Sequence, residues 1–313
     1  MAEAEHIVEV MGTRAHVIVV APELDHAELL GHSAVARLIG LEQLWSRFLP
    51  ASEVSRANAN AGHPTPISRD TELLLARAIE AWDRTDGRFD PTVLPALIAA
   101  GYDRPFSELD RDATVEIRAT GPSPGCADIV LRQNSVTLPR GVAIDPGGIG
   151  KGLAADLAVD LVMTAGAAGV CVNVGGDLRV AGTSPGGGPW TVTIDHPLRA
   201  DRAIGIVELA DEALVSSWRT RRAWGPEHDR RHHVIDPRTG VPARSGLAGV
   251  TVTAADAWWA EALATAVFLA GPDAAPALAR RHGVGAILVR DDASLLGIGS
   301  LRGVVDRSTE GAH

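Results

Sequence analysis

The 313-residue sequence contains one lysine and two cysteines, and its 29 basic residues are outnumbered by 39 acidic ones. Two cysteines, Cys126 and Cys171, cannot build a disulfide framework or a four-thiolate zinc site. Cys171 lies in the apolar run Val170 to Val174 and reads as a small buried hydrophobe. A net charge of -10 argues against nucleic acid or an anionic membrane as partner, so an acidic ligand has to be held by local features. The start, Met1-Ala2-Glu3-Ala4-Glu5-His6, is acidic where a secretory signal is basic, and no apolar run reads as long enough for a membrane span. A cytoplasmic protein is the expectation. Apolar residues at 46% and charged residues at 22% exclude wholesale disorder, and the length suits one large domain or two subdomains.

What is present reads as a mixture of strands and helices without a regular βα repeat, which points to an α+β fold. Val8 to Val20 is strand-like around Gly12, and Ala27 to Phe48 has helical spacing through Val35, Leu38, Leu41 and Trp45. A second helix is expected from about Asp70, as N-cap, to Gly87. Ile129 to Leu138 and Val142 to Ile144 read as strands, Lys151 to Ala165 as a helix, and Val170 to Val174 and Trp190 to Asp195 as strands. Trp218 to Arg231 reads as a long exposed arginine-rich loop. A strand at 248–254, helices at 256–270 and 276–282, and a strand at 286–290 follow.

The sole lysine, Lys151, closes the turn Asp145-Pro-Gly-Gly-Ile-Gly-Lys151-Gly152 at a helix start. Glycine-lined amides at a helix N-terminus suit a phosphate, although the same segment also reads as a tight structural turn. It is not a Walker A loop, because Gly152 stands where Ser or Thr is needed. Glu261 and Thr265, four apart, share a helix face and offer hard oxygen to Mg²⁺, or form an ordinary amphipathic face. His233 precedes an Asp-Pro turn and is a candidate proton carrier. His228 and His232 lack the Glu of a zinc-protease helix and read as solvated.

The order and wording of these segments resemble the ApbE-type FAD:protein FMN transferase family. The resemblance is carried by Met11-Gly12-Thr13, Ser52 to Asn58, Asp86 to Val93, Asp145 to Asp156, Asn173 to Asp177, Trp190 to Pro197, His233 to Gly240 and Ala260 to Thr265, covering about 8–272. It implies one ApbE-like domain over 1–313, with 273–313 completing the fold and a flexible tail from about 304. It further implies two interleaved α/β lobes with the cofactor cleft between them, and transfer of FMN from FAD to a Ser or Thr hydroxyl of an acceptor protein with release of AMP. By the same resemblance Met11, Phe48, Arg88, Phe89, Asp90, Asp145, Lys151 and Ile235 contact the cofactor. Mg²⁺ takes the Gly148 carbonyl, Glu261 and Thr265, and His233 activates the acceptor hydroxyl.

The chain departs from the family's pattern in several places. Glu261 stands for the usual Asp, Phe48 for a common tyrosine, Ala264 where some members offer a polar side chain, and Ser216-Ser217-Trp218 for Thr-Ser-Gly. Two other readings use the same residues: hydrolysis of FAD to FMN and AMP, and a flavin-binding protein without catalysis. A nicotinamide dehydrogenase can claim only Gly150, Gly152 and Ala155.

Overall fold

The computed structural model describes residues 1–110, 112, 119–227, 230–301 and 304. His228 and nearly all of the expected C-terminal tail lie outside them. The chain forms two compact units, each discontinuous in sequence: Met1–Gly40, Lys151–Trp218 and Gly246–His313 make the first, and Leu41–Gly150 with Arg219–Ser245 the second. The mixed α+β expectation is borne out.

The first unit is built on an eight-stranded sheet, antiparallel throughout. In spatial order its strands are Ala2–Val10, Thr13–Ala21, Gly169–Val174, Asp177–Gly182, Ala213–Trp218, Leu247–Ala254, Gly285–Arg290 and Leu295–Ile298. The first hairpin turns on two residues, Met11 at φ 55 and Gly12 at φ 66, the left-handed pair that matches the twist of flanking strands. Asp177–Gly182 alternates between the two faces: Leu178 and Val180 pack with Trp190, Ile194, Ile204 and Leu209 of the hairpin Trp190–His196/Arg199–Leu209. Asp177 and Arg179 reach instead toward the helices, where they meet Lys151 and Asp156.

The helix Ala257–Arg281 lies against Ala213–Trp218, Leu247–Ala254 and Gly285–Arg290. It joins the two helices expected at 256–270 and 276–282 across a break at Gly271, φ 72, just before Pro272. The expectation that no apolar stretch is long enough for a membrane span is corrected here. Among the described residues this one helix has the length and apolarity to cross a bilayer. Its apolarity is spent on the core, since Trp258, Leu263, Val267 and Phe268 are buried.

In the second unit the helix Arg69–Arg84 starts one residue before the expected N-cap Asp70, because Ser68 accepts the Thr71 amide and is itself gripped by the Glu53 carboxylate. Val142–Ile144 is not a strand. Asn58 substitutes for a pairing partner, its side-chain amide donating to the Ile144 carbonyl at 2.9 Å and accepting the Ile144 N–H at 2.8 Å. The stretch 219–231 is not simply an exposed loop either. Trp224 is buried, donates to the Ala100 carbonyl, and packs with Leu97, Tyr102 and Ile235, because an apolar ring among polar neighbours still finds a core.

Candidate active site

In the first unit, two helix starts meet. Gly152, near the start of Gly150–Thr164, lies so close to the first turn of Ala257–Arg281 that a Cβ there would be 2.3 Å from the Ala257 carbonyl oxygen. Asp156, one turn further, accepts the Ala257 and Trp258 amides at 2.9 Å each and so caps the second helix from outside its own sequence. Burial drives the Asp156 carboxyl up to about 7 against those amides. This packing delivers the Glu261 side chain to Lys151.

Glu261 is buried and both of its oxygens are engaged. Oε1 accepts from the Lys151 ammonium and Oε2 from the Gly152 N–H at 2.8 Å. Lys151 also pairs with Asp177 Oδ2 at 2.7 Å. Asp177 sits just after the Gly175-Gly176 turn, whose left-handed Gly175 stands against Thr13, beside the hairpin tip that contains Met11. Two buried carboxylates thus share one ammonium. Burial and the Asp177 charge push the Glu261 carboxyl above its ordinary 4.5, while Lys151 pulls the other way. Two carboxyl groups to one ammonium, with burial favouring a proton on Glu261 that a metal would displace, and the half-buried Thr265 hydroxyl one helical turn on, fit a hard divalent cation with oxygen ligands.

The turn before this helix is committed inward. Gly147 N–H donates to Asp145 Oδ1 at 3.1 Å, and the Ile149 and Gly150 amides donate to the Pro146 carbonyl. With Gly152 taken by Glu261, these four amides build the turn and anchor the carboxyl group, which supports the tight-turn reading of this segment. Gly148 lies at the turn's apex, within the second unit.

Also in the second unit, Asp145 pairs with Arg47 at 3.5 Å, and the Arg47 guanidinium donates to the Tyr102 carbonyl. The same guanidinium lies 4.1 Å from the Phe48 ring centroid and 4.7 Å from that of Tyr102. Phe48 and Ile235 pack on one aromatic cluster. Of the segment Arg88-Phe89-Asp90, Phe89 is buried and Asp90 caps the short helix Pro91–Val93 by accepting the Thr92 N–H and hydroxyl. Only Arg88 keeps a part-exposed side chain, with its guanidinium within 3.8 Å of Asp86.

The neighbours His232 and His233 divide the work that the sequence could not apportion. His232 is buried, with Nε2 donating to the Ala243 carbonyl and Nδ1 accepting the Val234 N–H, so the expectation that it is solvated is corrected. It belongs to the strand Arg231–His232, which pairs with Ala223–Trp224. His233 is half-buried and its Nδ1 faces the Arg222 carbonyl at 3.4 Å, which places a proton on Nδ1 and the lone pair on Nε2. The following turn is ordered by an Arg238 fork on Asp236.

Sequence reasoning brought Lys151 and Glu261 forward separately and did not join them. It missed Asp177, Asp156, Arg47 and Asn58 as positioning groups. Asp177 and Asp156 end or sit inside matched segments, which was the available signal; Arg47 gave none.

The model of the ApbE family matches residues 11–288. The FAD:protein FMN transferase of Haemophilus influenzae is 30% identical over 89% of this chain and 84% of its own length. That of Escherichia coli K12 is 28% identical over 79% and 73%. The crystal structure of the ApbE protein of Thermotoga maritima superposes with a TM-score of 0.87 at 26% identity, covering 97% of this chain and 99% of that one. The apo flavinyl transferase of Pseudomonas stutzeri, at 24% identity and a TM-score of 0.82 over 97% of both chains, shares the fold.

Proposed function

The chain belongs to the ApbE family, and on that premise we propose that it transfers FMN from FAD to a Ser or Thr hydroxyl of an acceptor protein, releasing AMP, with Mg²⁺ as the metal. The observation that carries this reading is the buried Lys151, Asp177 and Glu261 cluster, two carboxylates around one ammonium. Glu261, Thr265 and the Gly148 carbonyl are the proposed metal ligands. Bound there, the ion neutralises charge on the pyrophosphate.

In the transfer, the acceptor oxygen forms a bond to the phosphorus of the FMN half, the bond from that phosphorus to the bridging oxygen breaks, and AMP departs with the bridging oxygen. The hydroxyl proton passes to His233 Nε2, the nitrogen left basic by the Nδ1 contact to Arg222. Lys151 moves between carboxylate and phosphate as charge develops. Met11, Phe48, Arg88, Asp145 and Ile235 are the proposed cofactor contacts. Phe89 and Asp90 act through the shape of their buried turn.

The test is incubation with FAD and Mg²⁺, with and without a domain presenting a Ser/Thr acceptor, resolved by mass spectrometry. The expected products are AMP and an acceptor heavier by one FMN. Free FMN with AMP and an unmodified acceptor would replace the transferase by a hydrolase, and FAD binding without AMP would replace it by a binding protein.

A further inference from the structure

On the edge of the large sheet, among residues given no role above, His6 of the strand Ala2–Val10 meets Glu28 and His32 of the helix Leu24–Trp45. One ligand atom from each lies within 4.8 Å of the others. We propose that these three side chains form a second metal site, for a first-row transition ion of the Zn²⁺ class, that ties the edge strand to the helix.

Four observations carry it. Glu28 and His32 are four apart on the helix and share a face. Between them Gly31 leaves the space that His6 fills: a Cβ there would stand 2.3 Å from the His6 ring. His32 Nδ1 donates to the Glu28 backbone carbonyl at 2.8 Å, which fixes the tautomer with the Nε2 lone pair available and supplies the outer hydrogen bond usual for a metal-bound imidazole. His6 Nε2 is buried with no hydrogen-bond partner, and it stands 3.3 Å from Glu28 Oε2. Ligand atoms of a tetrahedral zinc ion with bonds of about 2.0–2.1 Å are themselves about 3.3 Å apart, so this pair needs almost no movement to accept one.

Two imidazoles and one carboxylate select a borderline ion over Mg²⁺ or Ca²⁺, and with three protein ligands the fourth position goes to water. The rings of His6 and His32, 4.6 Å between centroids and steeply inclined at 65°, are near enough to converge on one ion. Without an ion, the same geometry serves as a His6 to Glu28 ion pair, which predicts no metal affinity.

The experiment is calorimetric titration of the untagged, metal-stripped protein with ZnCl₂ in the presence of excess MgCl₂, repeated on His32→Ala, His6→Ala and Glu261→Gln. His32 is exposed, so its variant leaves the fold intact. The expected result is one Zn²⁺ per chain, an affinity at least tenfold lower in both histidine variants, and no change in Glu261→Gln. No binding by the wild type overturns the proposal, as does binding that persists undiminished in His32→Ala. Visible absorption of the Co²⁺ form, expected in the wild type and lost in His32→Ala, tests the same site independently of turnover; equal absorption in both proteins overturns it.

Discussion

The two units each hold a half-buried cation against carboxylate, and they do so differently. In the second unit Arg47 faces one carboxylate, Asp145, while two aromatic rings and a backbone carbonyl occupy the rest of the guanidinium. In the first unit Lys151 is shared by Asp177 and Glu261. The first arrangement is one guanidinium to one carboxylate. The second sets two carboxyl groups against one compact ammonium. A one-to-one pair holds a turn in place; a cluster with a carboxyl group to spare has a use for a ligand.

The largest expected effect breaks the unbalanced cluster. Glu261→Gln keeps an acceptor for the Gly152 amide but removes the charge, and Mg²⁺-dependent release of AMP from FAD should fall at least about 100-fold, about 2.7 kcal/mol of transition-state stabilisation. A quantitative AMP assay over a Mg²⁺ series checks it. Arg47→Met breaks the one-to-one pair instead and leaves the part-exposed Asp145 with its Gly147 amide but without its cation. It should cost about 1–3 kcal/mol in urea unfolding. Gly152→Ala drives a methyl into the Ala257 backbone and should destabilise by about 1–3 kcal/mol, read as a lowered Tm.

The last effect is a slope. Asp156 has a folded value raised to about 7 from 3.8, so the folded state holds its proton over a range where the unfolded chain has lost it. The stabilising contribution of the protonated form is complete below about 4 and is lost as pH rises toward 7, no faster than about 1.4 kcal/mol per pH unit. Unfolding free energy measured across that window should fall in the wild type and flatten in Asp156→Asn.

Much of this architecture was legible because local chemistry and tertiary structure agree. The Met11-Gly12 turn, the strand at 169–174 and the helix opening at Gly150 follow from turn residues, apolar runs and glycine placement. The reading failed where a side chain from elsewhere took over a backbone role. Asn58 holds Val142–Ile144 without a ladder, Ser68 outranks Asp70 because Glu53 positions it, and Trp224 turns a polar stretch into part of a core. The site was legible as residue types and not as partnerships. A lone lysine marked its own position, but nothing in sequence spacing tells that Lys151 reaches Glu261 over 110 positions, or that adjacent histidines face opposite duties.

The central claim is that the Lys151, Asp177 and Glu261 cluster, two carboxyl groups to one ammonium, takes a divalent cation where burial otherwise favours a proton. The direct measurement is the thermal unfolding midpoint against Mg²⁺ concentration in the wild type, Glu261→Gln and Lys151→Met, since an ion bound only by the folded state raises that midpoint in proportion to its occupancy. The account predicts a saturable rise in the wild type, a response shifted at least tenfold to higher Mg²⁺ in Glu261→Gln, and one no weaker than wild type in Lys151→Met, where the competing ammonium is gone. Identical curves for the wild type and Glu261→Gln would contradict it.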